Sequence, residues 1–280
     1  MSNVVPPPAP TRALLDTTVQ VDRVKTGARK AHLDRLLATF DWKLAASMSV
    51  VEFKATIIQE CINIHNQLRL RGRLTAVRDA LIEKDHPQRA LRAHVFNNLI
   101  TVYAPSSFTI DDAQDARLAE KARIRLERVI PGLYEWFVAK SVDSILRDRL
   151  ECNRANEPPR KKRAAFETNL PICRRGKNKS CRVEAVIREA APALLPALRT
   201  VAASSEQVTR AVGVFDSVIA NAKSDLSHGD CRRAGDCLIA LEGQGSATHA
   251  LSSNAREWDP LSKLMGFSFV HVTYPEEKSR

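Results

Sequence analysis

At both ends of the chain, short apolar runs of about four or five residues alternate with longer stretches whose apolar side chains recur every three or four positions. Parallel strands need helix-length connections, so this alternation admits little besides a parallel α/β sheet covered by helices. RALLD (12–16) is a first strand ending on an acid, followed by the polar pair TT and a helix-like stretch to about residue 37. KLAAS (43–47) is a second. Next comes SVVEFKATIIQECINIHNQL, where Val50, Phe53, Ile57, Cys61, Ile64 and Leu68 form one face of a long amphipathic helix. Ser49 followed by Glu52 fits a capping box at its start. Toward the other end the pattern predicts a helix over 206–222, a helix after Asp236, a strand in THALSS (248–253), a short helix over 260–265 and a last strand in FSFVHVTY (267–274).

Between about 71 and 203 the signal is helical throughout, in ARLAEKARIRLERVI (116–130) and in VEAVIREAAPALLPAL, which Pro192 and Pro196 interrupt. ANEPPRKKRAAFETNLPICRRGKNKSCR lies between these and reads as an exposed loop or mobile tongue. The expected organisation is a flexible leader at 1–11, the first half of an α/β domain at 12–70, a mainly helical insertion at 71–204 with a basic loop at 153–182, and the second half of the domain at 205–280.

Charge points to the partner. The formal net charge is +11 over 280 residues, an excess that goes with a polyanion, nucleic acid before an anionic membrane surface. Between 153 and 182 ten Lys or Arg face two Glu, so a net +8 of the +11 sits there. The candidate RNA contacts are Arg160, Lys161, Lys162, Arg163, Arg174, Arg175, Lys177, Lys179 and Arg182. With Phe166 as the single aromatic among them, they suit phosphate contact and not base stacking. PPRKKR also fits a nuclear-import pattern. The proline-rich start lacks the apolar core of a signal peptide, no run approaches the roughly 18 apolar residues of a membrane span, and the six scattered cysteines suit a reducing compartment. A cytoplasmic protein with no membrane partner is expected.

Ligands of open parallel sheets bind beyond the carboxyl ends of the strands. Asp16 ends the first strand, Glu52 lies in the first turn after the second, Asp236 opens an apolar helix, and Glu257 and Asp259 follow the THALSS strand. Carboxylates converging there repel one another unless a cation is present, and all-oxygen donors suit Mg2+ or Mn2+. Each acid also has a plain structural role open to it: Glu52 as the capping partner of Ser49, Asp236 as an N-cap, Asp16 as a turn former, Glu257 and Asp259 as a solvated pair.

LLDTTVQVDR, SMSVVEF, GDCLIAL and ATHALSSNAREWDPLSKLMGFSFV resemble, in order, the acidic motifs of the PIN-domain family, metal-dependent ribonucleases related in fold to flap endonucleases. The resemblance covers about residues 12–70 and 205–274. It implies a PIN-like parallel sheet interrupted by the helical insertion, and a magnesium- or manganese-dependent endoribonuclease. Asp16, Glu52, Asp236 and Glu257 fall on the catalytic, metal-holding positions, with Thr17, Thr18, Ser253 and Asn254 orienting substrate. The implied partner is RNA, with room for an inhibitory or assembly protein and for a homo-oligomer, and for a toxin, processing or defence role. Three departures stand out: Glu257 replaces the usual aspartate, Trp258 the usual phenylalanine, and Glu52 lies far from Asp236. Asp259 and Asp230 are alternative fourth acids. Glu257 also keeps open a catalytically silent PIN-like module that binds RNA or assembles. Cys173 and Cys181, with Cys152, are spaced more widely than structural zinc sites favour. Cys231 and Cys237 read as packed thiols, and His228 is the one histidine near the acids in sequence.

Overall fold

Ala13, Leu14 and Leu15 are fully buried in β1 (Arg12–Leu15), the central strand of a five-stranded sheet. Burial on both faces explains why the strand is a continuous apolar run and not an alternation. The other strands are β2 (Trp42–Ala46), β3 (Ser144–Leu146), the hairpin pair β4 (Lys161–Lys162) and β5 (Ala165–Phe166), β6 (His249–Ser252) and β7 (Ser268–His271). The main sheet runs β3-β2-β1-β6-β7 with every pairing parallel, Leu14 lying between Leu44 and Ala250. Strand order therefore reverses between β1 and β6, and the crevice outside their carboxyl ends is the place such a sheet offers to ligands.

This computed structural model describes residues 9–24, 28–81, 112–167, 181–202, 205–221 and 226–274. Most of the expected leader falls outside them. The chain divides into two compact units, and Met1–Glu52, Val138–Ala155 and Cys173–Arg280 make the one that carries the sheet. Its helices include Thr17–Val24 directly after β1, the stacked pair Val183–Ala202 and Glu206–Ala220, His228–Arg233, Gly235–Gly243 and Ala255–Met265. Gly235–Gly243 is apolar all round from Cys237 to Leu241 and is buried accordingly, against β2. Gly243 lies so close to the sheet that a Cβ there would meet Leu14 Cδ2 at 2.4 Å.

Phe53–Phe137 and Asn156–Ile172 form the second unit. It holds a π-helical turn (Lys54–Ile58), the helices Gln59–Arg71 and Leu74–Leu81, most of the long helix Asp112–Ala139, and the β4–β5 hairpin. Asp115 accepts the backbone N–H groups of Leu74 (2.8 Å) and Thr75 (3.1 Å), capping Leu74–Leu81 from another helix.

The structure corrects several expectations. The centre is not helical throughout: β3 adds a strand beside β2, too short at three residues to leave a periodic signal. Part of the basic tongue is the β4–β5 hairpin, and 168–180 lie outside the described residues. Pro192 and Pro196 do not interrupt Val183–Ala202. Both are exposed and four residues apart, while Ala191, Leu194, Leu195 and Leu198 are buried, so packing outweighs the two lost helical hydrogen bonds. Ser49 caps nothing, because the helix Ser47–Phe53 starts two residues earlier and the buried Ser49 hydroxyl makes no hydrogen bond. Its start is capped by Glu242 instead, which accepts from the Ser47 hydroxyl (2.6 Å) and the Met48 N–H (3.2 Å). The apolar face of the long helix does hold, with Val50, Phe53, Ile57, Cys61, Ile64 and Leu68 all buried.

Candidate active site

Asp16 follows β1 at the strand-order reversal and is buried. Its carboxylate accepts from the Thr17 N–H (2.6 Å), the Thr18 hydroxyl (2.6 Å) and the Ser252 hydroxyl (2.7 Å), the last at the end of β6. Its backbone N–H donates to Leu251 (3.0 Å), so β1 and β6 stay paired up to the acid itself. Thr17 turns its hydroxyl the other way and donates to Glu52 at 2.6 Å. One short dipeptide thus orients two acids.

Asp236 is the second residue of the Gly235–Gly243 helix, where Ala234 and not Asp236 stands at the N-cap. The preceding glycine decides where Glu52 can lie. A Cβ on Gly235 would fall 2.0 Å from Glu52 Oε1, so the missing side chain is the space that Glu52 occupies. As a result Asp16, Glu52 and Asp236 each offer one ligand oxygen within 4.8 Å of the others. Glu257 is buried in the first turn of Ala255–Met265 and hydrogen-bonds Asp236, outside that group of three. The Asn254 amide donates to Glu257. Ser253 lies close by through its N–H to the Thr18 hydroxyl (3.4 Å).

Electrostatics follow from the crowding. Burial raises the Asp16 carboxyl above its usual range against its hydrogen bonds to Thr18, Ser252 and Thr17. Burial chiefly pushes Glu52 up to about 7; the Thr17 hydrogen bond opposes it, the Asp16 charge adds to it, and the positive charge of Arg232 opposes it. Asp236 lies well above the carboxylate range, from burial first and then from the charges of Asp16 and Glu52 and the contact with Glu257. Burial and mutual repulsion thus shift all three acids toward their protonated forms.

The alternative fourth acids are engaged elsewhere. Asp259 pairs with Lys263 at 2.7 Å, and Asp230 closes a capping box with Ser227 and pairs with Arg233 at 3.1 Å. Sequence reasoning missed Ser252, Gly235 and Arg232. Ser252 was findable as the last residue of a strand next to Asp16; Gly235 and Arg232 owe their roles to a fold-dependent approach that leaves no local pattern.

Among the basic residues, Lys161 pairs with Glu127 at 2.9 Å and Arg160 with Glu157 at 3.5 Å, while Lys162 and Arg163 are exposed in the hairpin. Arg182 is exposed just before Val183–Ala202, and Arg174, Arg175, Lys177, Lys179 and Cys173 lie outside the described residues. Cys152 and Cys181 join no group of three metal-ligating side chains among the described residues. Cys231 and Cys237 are buried, and burial pushes the Cys237 thiol far up. The side chain of His228 is outside the described set. No helix among the described residues is long and apolar enough to cross a membrane. Comparison with protein-family models, with curated proteins and with solved structures finds no match to this chain.

Proposed function

We propose that the chain is a PIN-like, magnesium- or manganese-dependent endoribonuclease. One observation carries the reading: Asp16, Glu52 and Asp236, from three distant parts of the sequence, bring their oxygens within 4.8 Å at the strand-order reversal of a parallel sheet. The donor set fits the ion. Oxygen donors alone, crowded enough to raise one another's proton affinity, suit a hard divalent cation. Asp16, Glu52 and Asp236 hold it in this reading, with Glu257 behind Asp236. When bound, the ion would lower the pKa of water and offset charge on a scissile phosphate.

The remaining roles belong to the chain. Thr17 fixes Glu52, Thr18 and Ser252 fix Asp16, and Asn254 fixes Glu257, so these three carboxylates have an assigned orientation before any ligand arrives. The basic residues, an overall excess of +11, draw in the RNA backbone without choosing its sequence. Purified protein incubated with mixed RNA and magnesium or manganese is expected to cleave it, and an Asp16→Asn, Asp236→Asn double variant is not. Equal cleavage by both proteins removes this assignment. RNA binding without cleavage by either turns the reading to a silent RNA-binding module.

A further inference from the structure

The β4–β5 hairpin sorts its cations between two faces. Cross-strand partners share a face, so Lys161 lies with Phe166 and Lys162 with Ala165 on the other side. The first face is spent on structure. Phe166 is buried edge-on to the fully buried His65 ring, with centroids 5.0 Å apart, and Lys161 is held by Glu127. Asn66 clamps the strand by donating to the Phe166 carbonyl (2.9 Å) and accepting its N–H (3.2 Å). On the second face and in the turn, Lys162 and Arg163 are exposed, with no ion pair among the described residues.

The turn supplies an independent observation. Arg163 sits at φ 57, a left-handed conformation that two-residue hairpin turns usually give to glycine or asparagine. A charged side chain standing where the backbone prefers glycine points to a use for the side chain. We infer that Lys162 and Arg163 form a rigid two-cation tip that grips RNA phosphates, while Lys161, Asn66 and His65 hold the tip in place. RNA as the polyanion rests on the ribonuclease reading above.

The test is the binding of labelled single-stranded RNA, followed by anisotropy across a salt series with EDTA present. A Lys162→Ala, Arg163→Gly variant is expected to bind about tenfold more weakly at about 50 mM salt, with the slope of log affinity against log salt reduced by about 1.4, two contacts at about 0.7 each. Its thermal midpoint holds or rises, because glycine suits the turn. Lys161→Gln lowers the midpoint and leaves the slope, and Arg163→Lys keeps the wild-type slope. A tip variant that binds with unchanged affinity and slope overturns the inference, as does wild-type protein that binds no RNA. With cleavage read separately in magnesium, wild-type cleavage beside a tip variant of unaffected binding sinks the tip alone. Tip-dependent binding without cleavage sinks the nuclease alone.

Discussion

Gly235 is the residue on which the acid cluster turns. An alanine in a helix is ordinarily better than glycine by about 0.5–1 kcal/mol. Here the added carbon meets the Glu52 carboxylate at 2.0 Å, the far end of a side chain that can swing away. Gly235→Ala is therefore expected to fold with a thermal midpoint close to wild type yet to lose about 10- to 100-fold in divalent-ion affinity, the usual cost of disturbing a ligand's support. Calorimetric titration with manganese beside a melting curve measures both. A variant with unchanged affinity would take Glu52 out of the ion-holding set. Asp16 was the most legible residue, since an acid ending an apolar run falls on the ligand rim of any parallel sheet. Glu52 was legible in position, and of its two readings the capping one fails, because Ser49 makes no hydrogen bond and Thr17 holds the carboxylate instead.

Among the elements, the helix Ser47–Phe53 begins on a borrowed cap. Glu242, on the Gly235–Gly243 helix, reaches its first N–H groups, and burial pushes that carboxyl up to about 7 despite the hydrogen bonds from Ser47 and Met48. The raised value fixes the sign of the pH effect. Below about 4.5 both folded and unfolded chains hold the proton and Glu242 contributes nothing. Between 4.5 and about 7 the unfolded chain gives it up first, so stability falls as pH rises, and above about 7 the loss is constant. The full span is on the order of 3 kcal/mol. The stability of Glu242→Gln relative to wild type should accordingly climb from pH 4.5 to 7 and level off above, read from urea denaturation at several pH values; a flat difference would deny the buried charge. Sequence periodicity found the long elements because three or four turns of one-sided burial are needed to make a pattern. It missed β3 at three residues, and it read Pro192 and Pro196 as breaks because the packing of Leu194, Leu195 and Leu198 is not a local property.

For the molecule as a whole, crowded acids are a liability that a ligand relieves. Magnesium that binds the folded chain alone should raise its thermal stability, by about 2.7 kcal/mol at a hundred times the dissociation constant. The gain should grow with pH toward about 7, because below it the ion must displace the Glu52 proton into solvent and above it the carboxylate is already free of that proton. Asp16→Asn should show little gain and, without magnesium, equal or exceed wild type in stability, because one source of repulsion has gone. A magnesium shift retained in that variant would place the ion elsewhere. The overall class, a parallel sheet with helices, was readable from the alternation at the two chain ends. The grouping of the chain into two units from interleaved segments was not, since no composition change marks residues 52–53 or 137–138.

Pairing β1 with β6 has a consequence in time. The hydrogen bond between Asp16 and Ser252 joins residues 236 apart, and β1, the centre of the sheet, lacks one neighbour until β6 exists. At about 5–20 residues per second, a ribosome that has made Asp16 takes on the order of 10–50 s to reach Ser252. For most of that interval the nascent chain carries Asp16 and Glu52 without Asp236 or the Ser252 hydroxyl that orients Asp16. Whatever chemistry the site performs therefore waits for the segment that carries β6, so a nascent chain is inert at this site until then.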